Sequence, residues 1–121
     1  MSLHNRPKTI LCDLDGTLIR HTGDITKQAS CEPEVLPGVY QKLKEWELKG
    51  YRLFLVTGRK ESCRKETEEQ LAKAGIHYDA LIMSATNGER ILINDRKPNS
   101  EEDTTRSINV TRNAGLLNID T

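Results

Sequence analysis

The chain has 121 residues, and 18 Lys and Arg set against 18 Asp and Glu leave no formal net charge at pH 7. That length suits one compact domain, and the balanced charge argues against a general nucleic-acid binder, which ordinarily carries a basic excess. Hydrophobic residues make up 36% and aromatic ones 4%, which excludes a disordered chain and predicts a core of Leu, Ile and Val.

The N-terminal stretch MSLHNRPK lacks the apolar segment of a secretory leader. Residues 9–14 form a nearly continuous apolar run, the pattern of a strand buried on both faces. From 18 to 34 the chain is polar, with Gly23 and Pro33, and reads as a loop or small hairpin. Leu36, Val39, Leu43 and Trp46 then recur at helical spacing, and Gly50 ends that helix. Residues 51–56 make a second buried strand, stopped at Thr57 and Gly58. A helix over 61–74 carries Glu61–Lys65 and Glu69–Lys73 in the favourable i,i+4 order, and Gly75 closes it. Residues 80–83, 90–94 and 107–110 are predicted as three further strands. Only six residues part the third and fourth, which leaves that pair either parallel or antiparallel. The alternation describes an α/β domain with a mostly parallel sheet of about five strands.

Cys12, Cys31 and Cys63 form no CxxC pair, so neither a disulfide framework nor a zinc cluster is expected. His4, His21 and His77 share no ligand spacing. No apolar run approaches the roughly 18 residues of a membrane span. A reduced, cytoplasmic protein with no membrane association follows as the expectation.

The first, second and fourth predicted strands all end in residues suited to phosphate chemistry. They are Asp13, Asp15, Gly16 and Thr17, then Thr57, Gly58 and Arg59, then Asn94 and Asp95. Ligands of open α/β sheets bind beyond the carboxyl ends of the strands, so parallel strands would bring these segments to one crevice. Asp13 and Asp15, two apart, turn to one side of an extended backbone with Cα atoms about 7 Å apart. Two carboxylates in one small space repel unless a cation stands beside them. With Asp95 they make a set of hard oxygen ligands suited to Mg²⁺. Gly16 permits a sharp turn and close approach of a phosphate to its N–H, and the hydroxyls of Thr17 and Thr57 can donate to phosphate oxygens. Alternation turns Cys12 away from Asp13 and into the core.

The run from Ile10 to Leu18, with Asp-Leu-Asp-Gly-Thr at its centre, resembles the first motif of the haloacid dehalogenase-like hydrolases. Thr57 resembles their second motif and Asp95 their acidic fourth. The resemblance spans about residues 8–97 and implies a Rossmann-like three-layer sandwich acting as a Mg²⁺-dependent phosphatase. By similarity Asp13 would be the nucleophile that becomes an aspartyl phosphate, and Asp15 the general acid and then base. Thr57 would hold the phosphoryl oxygens, with Gly16, Thr17, Gly58 and Arg59 as further substrate contacts. Asp13, Asp15 and Asp95 would bind the metal.

Two departures from the family pattern stand out. The third-motif Lys is missing, because residues 84–89 contain none. Arg90, along an extended strand, would lie about 16 Å from Asp95, at the wrong end. Lys97 is therefore expected in that role, ahead of Arg59 and Lys60. Asn94 also stands where many relatives have a second acid or a glycine. Between Thr17 and Thr57 lie 39 residues, and between Thr57 and Asp95 lie 37, too few for the family's cap domain. A single capless domain over residues 1–121 is the expectation. Its open site points to a small phosphomonoester, a sugar phosphate by analogy, with a homo-oligomer covering the mouth and no nucleic acid bound. Arg20, His21 and Lys27 lie in the loop after the first motif, where relatives have a flap beside the site. The alternative is a catalytically weak or inactive phosphate-binding or assembly module on the same scaffold.

Overall fold

Strand β1, Thr9–Asp13, pairs in parallel with β2, Arg52–Val56, and β2 pairs in parallel with β3, Ala80–Ile82. The connections are helix α1, Val39–Leu48, and helix α2, Arg64–Ala74, the latter entered through a 3-10 turn, Glu61–Cys63. These elements come from a computed structural model that describes residues 5–24 and 27–121; His4 and the rest of residues 1–4 lie outside the described residues.

The register sets Cys12 beside Leu55 and Leu55 beside Leu81, one buried row across the sheet. Val39 and Trp46 of α1 and Leu71 of α2 pack into the same cluster as that row. Both helices end where the sequence predicts. The Tyr51 N–H returns to the Trp46 carbonyl at 2.9 Å and the Ile76 N–H to Leu71 at 3.0 Å, the bond that closes a helix over a left-handed residue.

The sheet departs from the predicted five strands: three are found among the described residues. Residues 90–94 run irregularly, with Ile91, Leu92 and Ile93 at 75%, 54% and 89% exposure. Residues 107–110 are irregular too, although Val110 packs against the core. Apolar content makes a strand only where a neighbouring edge accepts its hydrogen bonds, and such pairing is not a local property. Both crossovers step in the same direction, and right-handed connections then place both helices on one face. No strand among the described residues pairs with the far side of β1. The opposite face is accordingly half open at Leu11 and Ile82. This corrects the expected burial of the first strand on both faces.

Two irregular segments pack against these elements. In the first, Ile19 bridges Val35 in antiparallel fashion, flanked by bonds from Arg20 N–H to the Glu34 carbonyl and from Leu36 N–H to Leu18. The buried Gln28 accepts from the Thr22 N–H and hydroxyl and donates to the Arg20 carbonyl. Gln70 of α2 donates to the carbonyls of Gln28 and Cys31, tying this loop to the helix. In the second, the C-terminal stretch returns along α1. Leu116 is buried and bonds the Pro37 carbonyl, and the Trp46 indole donates to the Thr121 hydroxyl at 2.8 Å.

Candidate active site

At the end of β1 the chain wraps tightly around the fully buried Leu14, whose carbonyl accepts from the N–H groups of Leu18 and Ile19. The wrap requires φ +88° at Gly16, a left-handed conformation that a side chain disfavours. Its effect is to put Asp13 and Asp15 into different surroundings.

Asp15 is drawn inward, its side chain only 8% exposed. Arg59, 2% exposed, donates to it from Nε at 2.9 Å and from Nη2 at 2.7 Å, a two-pronged contact. The third donor of the fork, Nη1, reaches the buried Thr67 hydroxyl on α2 at 3.1 Å. Asp13 faces the open side. Its Oδ1 accepts from Arg90 Nη1 at 2.9 Å and its Oδ2 from the Thr17 hydroxyl at 3.3 Å, with the Arg90 and Asp13 side chains 43% and 38% exposed. Buried Thr57 follows β2, and its oxygen accepts from the Arg59 N–H at 3.1 Å. A Cβ added at Gly58 would lie 3.4 Å from the Ala85 carbonyl. Cys12 points into the core, where burial and then the charge of Asp13 push its thiol up to about 12. It stays a neutral packing group.

The structure therefore brings together Asp13, Asp15, Gly16, Thr17, Thr57 and Arg59. Lys97 and Asp95 lie in the exposed stretch beyond β3. The Asp95 carbonyl accepts from the Thr104 hydroxyl at 2.5 Å and Arg96 pairs with Asp103 at 2.8 Å, so that stretch closes on itself. Among the described residues no three His, Cys, Asp or Glu side chains gather as a metal cluster. The donor chemistry near Gly16 nonetheless fits Mg²⁺. Asp13 offers a half-exposed hard carboxylate, and one carboxylate with waters and substrate phosphate is a common way to hold that ion.

Sequence reasoning missed Arg90. Its assignment to the wrong end assumed an extended strand, and without that strand the side chain reaches Asp13 and, at 3.4 Å, the Val56 carbonyl. The available signal was composition, since Arg90 is the first cation between β3 and Asp95.

The model of the polynucleotide kinase PNKP phosphatase domain matches residues 7–96. Among solved structures, a chain of the Pnkp1/Rnl/Hen1 complex is 37% identical over 70% of this chain, with a TM-score of 0.58. A chain of the Pnkp1/Rnl/Hen1 RNA repair complex is 36% identical over 69%, with a TM-score of 0.54. This chain spans 30% and 28% of the length of those two. None of the curated proteins matches it. These neighbours overturn the expectation of a small-molecule phosphomonoester, no nucleic acid and a homo-oligomer, since they belong to an assembly of different proteins described as repairing RNA. The charge argument misled because net charge is a sum over the whole chain. Locally Arg59 and Arg90 stand on the two carboxylates of the first motif, and Arg112 lies beside Gly16. No helix among the described residues is long and apolar enough to cross a membrane.

Proposed function

This chain belongs to the family of polynucleotide kinase PNKP phosphatase domains, which are haloacid dehalogenase-like phosphatases, and from that premise we propose that it removes the terminal phosphate of a polynucleotide end. The observation that carries the reading is the division of labour between two carboxylates two residues apart. Asp13 is open to solvent and Asp15 is locked by Arg59.

In the first step a carboxylate oxygen of Asp13 attacks phosphorus and the bond to the terminal sugar oxygen breaks, leaving an aspartyl phosphate. Asp15 is the general acid by the family pattern; held as a carboxylate by both prongs of Arg59, it would have to turn one oxygen out of that contact and carry a proton there before giving it to the departing oxygen. In the second step water attacks the aspartyl phosphate, Asp15 takes a proton from it, and inorganic phosphate leaves with Asp13 regenerated. Arg59 positions the Asp15 carboxylate through both of its oxygens, so each transfer needs one of them to turn out of that contact. Arg90, already on Asp13, balances the charge of the incoming phosphoryl group, the role expected of Lys97. The Thr57 hydroxyl is the neutral donor; the Gly16 N–H, expected from sequence to approach a phosphate, is instead taken by the Ile19 carbonyl at 2.7 Å. Mg²⁺ would be held by the Asp13 carboxylate and the Asp15 main-chain carbonyl, and when bound it supplies further neutralisation of phosphoryl charge. Asp95 would have to leave its loop to join them.

Phosphate release from 3′- and 5′-phosphorylated oligoribonucleotides tests this, with Mg²⁺, with a chelator, and with Asp13→Asn. Metal-dependent release from one end, absent in the variant, is the expected result. Equal release by Asp13→Asn would remove the nucleophile assignment.

A further inference from the structure

The polynucleotide reading leaves one question open: which group distinguishes a chain end from a free phosphate ester. A Cβ built on Gly16 would lie 3.1 Å from Cγ and 3.7 Å from Nε of Arg112, and 3.6 Å from Cβ of His21. Arg112 and His21 thus flank the first motif at Gly16. Arg59 and Arg90 are each committed to a carboxylate. Arg112 is exposed and has no hydrogen bond or ion pair among the described residues, so its fork of donors is free.

The position of Arg112 is fixed by its neighbour. Asn113 adopts φ +65°, its N–H donates to the Gly16 carbonyl at 2.8 Å, and its side chain accepts from the His21 N–H at 2.7 Å and donates to the His21 carbonyl at 3.1 Å. Three bonds from one side chain and its main chain lash the C-terminal stretch to both the first motif and the loop after it. Arg112 is thereby anchored through its main chain with its stem beside Gly16, whose Cα lies at most about 10–11 Å along the chain from that of the nucleophile. A phosphodiester one step from the reacting phosphate falls in that range, and an unpaired guanidinium is suited to bind it.

Resting on the polynucleotide reading, we propose that Arg112 is a specificity residue that binds the phosphodiester next to the terminal phosphate. His21 walls the other side of the same cradle. Contacts of this kind fix register on a nucleic acid without reading its sequence.

Steady-state kinetics of the intact chain, Arg112→Ala and Arg112→Lys would be measured on two substrates. One is a phosphorylated oligoribonucleotide; the other is p-nitrophenyl phosphate, which has no phosphodiester. The expected result for Arg112→Ala is a KM about tenfold higher on the oligonucleotide, the loss of one charged contact, with kcat within about twofold. Neither parameter should move on p-nitrophenyl phosphate. Arg112→Lys should recover part of the KM, and the salt dependence of oligonucleotide binding should be shallower in Arg112→Ala. An unchanged oligonucleotide KM, or an equal loss on both substrates, overturns the proposal. A parent chain that hydrolyses p-nitrophenyl phosphate but neither oligonucleotide end overturns the polynucleotide reading instead.

Discussion

Arg59 and Asp15, 44 residues apart in sequence, meet through two hydrogen bonds of 2.7 and 2.9 Å with almost no solvent access to either side chain. Desolvating a charge pair is costly, and an excellent two-pronged geometry with a third bond to Thr67 is what makes it tolerable. Removing one partner is another matter. Arg59→Met should destabilise the chain by about 3–5 kcal/mol, because Asp15 would remain buried and alone. Turnover should fall at least about a hundredfold from loss of alignment. Arg59→Lys restores the charge but not the fork, so urea unfolding should recover in part while kcat does not.

Arg90 and Lys97 offer a direct comparison. Arg90 touches Asp13, whereas Lys97 lies in the exposed loop closed by Arg96 and Asp103. Arg90→Ala should lower kcat by about ten- to a hundredfold, and Lys97→Ala should leave it within about twofold. Single-turnover rates on one phosphorylated substrate would separate the two, and the reverse order would restore Lys97 to the role expected from sequence.

The three thiols should differ sharply in reactivity. Cys31 and Cys63 are partly exposed, while Cys12 is buried and its thiol is raised to about 12. Titration with a disulfide reagent should find two groups in the folded chain and the third only on unfolding. The sign of the linkage also follows. The folded value lies above the ordinary 9.0, so the unfolded chain ionises first and this stabilisation is full below pH 9. It is lost as pH rises from there towards 12. The urea midpoint of the parent should therefore fall more steeply above pH 9 than that of Cys12→Ala.

Gly115 has φ +85°, and a Cβ there would sit 2.1 Å from the Pro37 carbonyl oxygen. Gly115→Ala should cost about 1–3 kcal/mol from backbone strain alone. It should also displace Asn113 from His21, so activity on an oligonucleotide should fall further than thermal stability would suggest.

What the sequence revealed of this fold was its local part. The strands at 9–13, 52–56 and 80–82, both helices and their closing glycines follow from periodicity and turn chemistry. The grouping of Asp13, Asp15, Gly16 and Thr17 was legible because four neighbours on one turn cannot be far apart. Residues 90–94 were misread because Ile-Leu-Ile is strand-like wherever it stands, and pairing depends on an edge elsewhere in the chain. Arg90 was lost through the same error. The inward turn of the Arg59 fork and the return of Asn113 to His21 across 92 residues leave no periodic trace at all.

The side of β1 left unpaired among the described residues and the bare Ile91, Leu92 and Ile93 also bear on self-association. An open strand edge is a template for addition of another chain, and a short β-prone apolar run is the piece most ready to add. Arg90, Asp95 and Arg96 bracket that run with charge, the arrangement by which aggregation-prone segments are kept apart. Arg90 thus places beside that run the same charge that meets Asp13. Replacing it by a neutral residue removes a flanking charge as well as the cation on Asp13, and Arg90→Lys is the variant that keeps the first while testing the second.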